Sequence, residues 1–296
     1  MAHKKESVEE RGVPPKGGVT MLAPNGRKKF HFFRPHHVMS PSQSVALLVE
    51  GRRMKGAVKL CMRFSRAKKR EYIVVSVGGS LIVPDGIDTA FLERLHSVIL
   101  AHVERGLSFY IVAGGGMTAR SYQRAAEEVR GDLDPEDVDW LGIHSTRLNA
   151  HLLRTLFKEQ AQKNIVKNPT RDLRGADAII IGAGWRPGWS TDYCAVMAAK
   201  QLGAKRLVNL SNIDYVYTAD PRKDPSAQKI ERISWTDFRA LIPKDWDPGL
   251  SSPFDPVASK MAQELKMEVA IVNGKKIDEF DNYVSGKPFM GTVITG

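Results

Sequence analysis

Cysteine is nearly absent from this chain. Two residues in 296, Cys61 and Cys194, cannot build a disulfide framework, and neither sits at a metal-ligand spacing. Their scarcity points to a reducing compartment, so a cytoplasmic location is expected. Long apolar runs are missing too: residues 45–49, the longest in the first part of the chain, fall far short of the roughly 18 that a membrane span needs. No membrane partner is expected. The start, Met1-Ala2-His3-Lys4-Lys5, leads into acidic and glycine-rich sequence where a secretory signal would have an apolar core.

Acidic charge is scarce at one end only. Residues 1–70 hold 17 Lys+Arg and 4 Asp+Glu, or +13; the totals of 44 and 33 then leave 27 and 29, or −2, for residues 71–296. The basicity belongs to the first segment, and the remainder is near neutral. Residues 1–70 mix Pro, Gly, Lys and Arg with no sustained period, which predicts a basic, disordered N-terminal extension. Its clusters Arg27-Lys28-Lys29 and Lys68-Lys69-Arg70, with Phe30, Phe32 and Phe33 beside the first, are the one feature suited to nucleic acid. A solvated tail, or a start at Met54 or Met62, explains them more simply, and nucleic acid is not otherwise expected as a partner.

Both common nucleotide fingerprints are also lacking. The chain has no G-x-x-x-x-G-K-[ST], and Gly78-Gly79 and Gly114-Gly115-Gly116 do not have the spacing G-x-G-x-x-G. Nor is there a Ser-His-Asp set with local support, or a zinc pattern.

What is present is a series of apolar strands that end in glycine. Residues 72–77 run into Gly78-Gly79-Ser80, and residues 107–112 run into Gly114-Gly115-Gly116. Helices are expected at 88–105 and 117–129, at 139–160 with a stripe of Leu141, Leu148, Leu152 and Leu156 that reads as core or subunit interface, and at 193–202, 236–241 and 276–285. A further helix should start at Asp255-Pro256, a cap followed by proline, which places Lys260 little more than one turn in. Strands are expected at 178–181, 206–210, 268–272 and 291–295. Strand–glycine–helix units in succession imply a mainly parallel sheet whose ligands sit at the strand carboxyl ends.

The central stretch is Ile181-Gly182-Ala183-Gly184-Trp185-Arg186-Pro187-Gly188-Trp189-Ser190-Thr191-Asp192. It spans a strand end and a helix start, where free backbone N–H groups and the helix dipole favour anions. Ser190 or Thr191 can cap the helix, and Asp192 can orient a cation or a lysine beside the phosphates. With Arg120 and Lys260, these are the parts of a site that moves a phosphoryl group by holding it.

Residues 71–296 resemble the amino acid kinase family, and within it the archaeal-type uridine monophosphate kinase branch. The blocks that carry the resemblance are Val77-Gly78-Gly79-Ser80, Gly114-Gly115-Gly116 with Ala119-Arg120, and Asp139-Trp140-Leu141-Gly142-Ile143 leading to Thr146-Arg147-Leu148-Asn149-Ala150. Pro187-Gly188 through Thr191-Asp192, Asn212-Ile213-Asp214 with Val216-Tyr217-Thr218-Ala219-Asp220-Pro221, and Asp255-Pro256 with Lys260 complete them. The resemblance implies one catalytic domain, a three-layer α/β/α sandwich that assembles as a homo-oligomer, usually a hexamer. It implies transfer of the ATP γ-phosphoryl group to UMP, with Mg²⁺ entering alongside ATP, in pyrimidine nucleotide biosynthesis.

Carried over by position, Gly78, Gly79 and Ser80 would hold ATP phosphates, while Gly116 and Arg120 would lie at the transfer centre. Gly115 would touch UMP, Asp139 would face its nucleoside, and Arg186, Pro187, Gly188, Trp189, Ser190, Thr191 and Asp192 would wrap the acceptor. Ser211, Tyr217 and Asp220 would line the ATP nucleoside pocket. Lys260 would stabilise the transferring charge, with Asp192 orienting it. Three departures stand out: Ser76 where many relatives place lysine, Tyr215 where they usually have glycine, and the bulk of Trp185 and Trp189. Another acceptor on the same fold (a carboxylate, a carbamate or isopentenyl phosphate) and a non-catalytic nucleotide-binding relative remain the alternatives.

Overall fold

The structure is a computed structural model that describes residues 70–173, 177–243 and 252–296. The basic extension expected over residues 1–70 therefore lies outside the described residues, apart from Arg70.

In chain order the elements are β1 (Tyr72–Val77), α1 (Gly79–Ile82), α2 (Thr89–Glu104), β2 (Ser108–Ala113), α3 (Gly116–Val129), α4 (Pro135–Leu156) and β3 (Ile179–Gly182). There follow α5 (Thr191–Leu202), β4 (Arg206–Ser211), β5 (Val216–Tyr217), β6 (Lys229–Ile230), β7 (Arg232–Ser234) and α6 (Trp235–Leu241). The described chain ends with α7 (Pro256–Glu264), β8 (Glu268–Asn273), α8 (Ile277–Val284) and β9 (Thr292–Thr295). Most helix starts are written locally. Asp88 accepts from Phe91 N at 2.9 Å, Ser190 from Tyr193 N at 3.1 Å and Asp255 from Ala258 N at 2.6 Å, each filling one orphan donor of a first turn. Gly203 stops α5 at φ +67, a left-handed conformation that glycine adopts without a Cβ penalty.

Seven strands form the main sheet in the order β3-β2-β1-β4-β8-β9-β7. The first five run parallel; β9 pairs antiparallel with β8, and β7 runs with β9. The chain moves outward from β1 through β2 to β3, then returns to the other side of β1 for β4. That reversal opens a crevice at the strand carboxyl ends, the usual ligand position in such sheets. Here the mainly parallel sheet read from the glycine-closed strands is borne out.

β1 and β2 are buried at every position, as befits strands covered on both faces. Ile73, Val75 and Val77 pack with Phe91, Leu95, Leu153 and Phe280 from α2, α4 and α8. Tyr72 and Val74 pack with Val196, Phe238 and Ala258 from α5, α6 and α7. The two cores, one on each face, make the three layers. By the same alternation Ser76 points toward α5.

One sequence reading is corrected. α4 starts at Pro135, capped by Asp134, so it begins a turn earlier than expected. Its buried face is Ile143, Thr146, Asn149, Ala150 and Leu153, whereas Leu148 is 63% exposed and Leu156 38%. The leucine stripe, read as core or subunit interface, is divided: Leu152 packs against the core while Leu148 and Leu156 face outward, because the helix turns Thr146 and Asn149 toward the β3–α5 and glycine loops. The β5–β6 hairpin and β7 were not expected, being too short to show a period.

Truncating Leu153 to Ala should lower the unfolding free energy by about 2–5 kcal/mol. Leu148→Ala should change it by no more than about 0.5 kcal/mol, as for an open surface position. Urea unfolding of both variants checks the ranking, and the reverse order would restore the leucine stripe.

Candidate functional site

The loops after β1 and β2 touch main chain to main chain. A Cβ on Gly79 would run into the backbone nitrogens of Gly115 and Gly116, and one on Gly116, which sits at φ +64, into the Gly79 carbonyl. No side chain fits between them. Asn149 from α4 holds the second loop, its Nδ2 donating to the Gly114 and Gly115 carbonyls at 2.8 and 3.1 Å. Gly78 N donates to Leu210 O at 2.8 Å and Gly114 N to Val77 O at 2.9 Å, closing the loops onto the sheet. The amides of Gly79, Ser80, Gly115 and Gly116 have no backbone acceptor among the described residues, as expected of first turns. They form a glycine-lined donor surface suited to phosphate. Arg120 on α3 reaches the same place, with Nη1 3.4 Å from Ser80 Oγ.

The loop between β3 and α5 lies against α4. Gly184 N donates to Thr146 Oγ1 at 2.8 Å, and Gly188 N to Asp139 Oδ2 at 2.7 Å. Gly188 sits at φ +81, in the left-handed region that a side chain rarely adopts. Arg186 lies over the Trp185 ring at 4.2 Å, and Trp189 stacks on Tyr193 with ring centroids 4.0 Å apart. Asp139, read separately from the sequence, is thus brought against the stretch that holds Arg186, Gly188 and Trp189. Pro187 lies between them, and Ser190 and Thr191 begin α5.

Asp192 follows in the first turn of α5. Ser76 Oγ donates to its Oδ1 at 2.9 Å and the Asp255 amide to its Oδ2 at 3.3 Å. The residue is part-exposed, yet its carboxyl is enclosed, and burial pushes it up to about 7. The Ser76 hydrogen bond opposes that rise, while the Asp255 carboxyl adds to it. Two neutral donors hold the oxygens, and among the described residues no cation is paired with them. Lys260 is exposed on α7, whose capping residue Asp255 is the one that touches Asp192. Neighbouring Cys194 is buried and its thiol pushed up to about 12, so it is not a nucleophile.

On the other side of the crevice, Ser211 closes β4 and accepts from Ile213 N at 3.3 Å. Tyr217 is part-buried in β5, and Asp220 is engaged with Arg222 at 3.0 Å. Asp214, which ends the Asn212-Ile213-Asp214 run, is held by Asn273 Nδ2 and Lys276 Nζ, each at 2.8 Å. Tyr215, the bulky departure, is 9% exposed with Lys229 Nζ 5.0 Å from its ring centre. Sequence reading assigned no part to Asn149, Thr146 and Arg147, although all three stand in the block after Ile143. Polar residues at core spacing on a helix were the available signal. The same reading noted Ser76 only for the lysine it replaces; its hydroxyl is a partner of Asp192.

The sequence profile of the amino acid kinase family matches residues 71–273. A uridylate kinase from Hyperthermus butylicus is 34% identical over 235 residues, covering 76% of this chain and 98% of that one. One from Pyrococcus abyssi is 34% identical over 218 residues, 73% and 96% of the two chains. Among solved structures, uridylate kinase from Archaeoglobus fulgidus superposes with a TM-score of 0.65 at 27% identity, covering 75% of this chain and 99% of that chain. Aspartate kinase from Synechocystis, at 16% identity and a TM-score of 0.59, shares the fold.

The raised Asp192 carboxyl fixes a sign. The folded chain holds this proton more tightly than the unfolded chain, so the group favours the fold below pH about 4, and that contribution is lost as pH rises through about 7. Asp192→Asn should therefore raise Tm over the unsubstituted chain at pH 8 by on the order of a few degrees, and by less at pH 5. Differential scanning fluorimetry at the two pH values reads it; a difference that does not vary with pH would place the carboxyl in water.

Proposed function

The chain belongs to the amino acid kinase family, and from that premise we propose that it transfers the γ-phosphoryl group of ATP to UMP, giving UDP and ADP. The observation that carries the proposal is the convergence at one end of the sheet: the amides of two touching glycine loops, and beside them a loop gripped by α4 and ending in Asp192.

Each residue then has a physical task. Gly78, Gly79 and Ser80 support the ATP phosphates, with Gly116 and Arg120 at the point of transfer. Gly115, Asp139 and the loop from Arg186 to Asp192 receive UMP, and Ser211, Tyr217 and Asp220 border the ATP nucleoside. The attacking oxygen belongs to the UMP phosphate and is already anionic near neutral pH, so no base has to remove a proton. It bonds to the γ-phosphorus as the bond from that phosphorus to the β,γ-bridging oxygen breaks, and ADP leaves with those electrons. Alignment and charge neutralisation carry such a step. A bare carboxylate at Asp192 would repel two phosphorylated ligands, so a cation must stand between. Lys260, exposed on α7, supplies it, and Asp192 orients it.

Among the described residues no three His, Cys, Asp or Glu side chains are gathered where they could hold a metal. The groups present, backbone N–H donors and carboxylates not gathered into a cluster, suit a Mg²⁺ ion that would arrive held by the nucleotide's phosphates and help to neutralise them. We further propose a homo-oligomer, hexameric by family resemblance, working in the cytoplasm; light scattering of the purified chain tests the assembly.

ADP release measured with UMP, CMP, acetylglutamate and isopentenyl phosphate as acceptors tests the activity. Turnover should favour UMP; preference for either of the last two would assign a sister activity, and no turnover with any would leave a binding protein. Asp192→Asn and Lys260→Ala should each lower kcat by at least about a hundredfold, as for loss of a preorganised charge. A near-normal rate in either would remove that residue from the mechanism.

A further inference from the structure

α4 grips the acceptor loop at three points, and the middle one has so far no task. Thr146 takes the Gly184 amide and Asp139 the Gly188 amide. Between them Arg147 Nη2 donates to the Trp185 carbonyl at 3.0 Å. Asp139 and Thr146 stand seven residues apart, two helical turns on one face, so a single stripe of α4 reaches both ends of the loop.

Arg147 is held at a cost. Its guanidinium lies over the Trp140 indole at 5.5 Å, and its Nε is enclosed with no acceptor among the described residues. Desolvation weakens its hold on the proton. An enclosed donor without a partner disfavours the fold and offsets part of what the Trp185 hydrogen bond and the Trp140 contact contribute to stability. Among the described residues its one hydrogen bond goes to the loop. Fixing the Trp185 carbonyl fixes the peptide plane that leads into Arg186. The indole and the guanidinium that lies 4.2 Å over it are thereby set as one unit.

We infer that Arg147 is a positioning residue for the acceptor nucleotide: it pins the Trp185–Arg186 peptide so that the stacked ring and cation face an incoming nucleoside monophosphate in one orientation. The inference rests on reading this loop as the acceptor site. It also gives the bulk of Trp185 a purpose, since an aromatic face held by its own backbone suits stacking on a planar base.

Steady-state kinetics of the full chain separate positioning from a general structural role. Arg147→Met should raise KM for UMP about tenfold, with kcat within about threefold and KM for ATP unchanged. Arg147→Lys, which keeps a charge and a donor but not the planar fork, should recover part of that loss. No change for UMP, or equal rises for UMP and ATP, would overturn the inference. Failure of the unsubstituted chain to turn over UMP would instead sink the functional reading. The grip is then judged by chymotrypsin: cutting after Trp185 or Trp189 should be faster in Arg147→Met than in the parent at matched thermal stability, and equal cutting would overturn it.

Discussion

Two glycine loops touch backbone to backbone at the carboxyl ends of β1 and β2, and the rest of the site is arranged around that contact. Because a Cβ on Gly79 would meet the nitrogens of Gly115 and Gly116, the loops can close only without side chains. The closure draws first-turn amides of α1 and α3 together, and main-chain donors are the one kind of phosphate ligand that needs no rotamer to be fixed. α4 serves the same contact from behind. It turns Asn149 inward to hold the Gly114 and Gly115 carbonyls, and this is why its buried face is small and polar where a leucine stripe would otherwise pack.

The second constraint is electrostatic. Asp192 sits in an enclosed place with a hydroxyl and an amide for company and no paired cation among the described residues. Burying a carboxyl in this way is unfavourable, which is why its proton is held to about pH 7. Such a group is at odds with the stability of the empty protein and in keeping with a site completed by what binds. Ser76 takes part in this balance. Where the family resemblance leads one to expect a lysine on β1, the chain has a hydroxyl that steadies the carboxyl without neutralising it, so in the proposed reaction positive charge would come from Arg120, Lys260 and the ligands' own counter-ions.

Much of this was legible in the chain. Glycine pairs after β-branched runs, a cap and proline at Asp255-Pro256, and the stop at Gly203 are local signals, and the strands and helices they mark formed where expected. The blocks around Asp139, Pro187-Gly188 and Asp192 carried the family, and the structure gathers them about one crevice. Which face of α4 the sheet would claim was not legible, because Leu148 and Leu156 offered the apolar period while the partners of the other face, the glycine carbonyls and the β3–α5 loop, are distant in sequence. β5, β6 and β7 are two or three residues long and carry no period at all.

The sequence alone settled six of the seven main-sheet strands to within a residue or so, and that β1 and β2 run into bare glycines, because sterics, capping and hydrophobic period act over a few neighbouring residues. Tertiary structure decided what those ends face. Ser76 reaches Asp192 across 116 residues, Arg147 reaches Trp185 across 38 and Asp139 reaches Gly188 across 49. None of these pairs follows from local preference, since each depends on the order in which the strands join the sheet. The protonation of Asp192 was likewise out of reach of the sequence, because desolvation is a property of the enclosure and not of the residue.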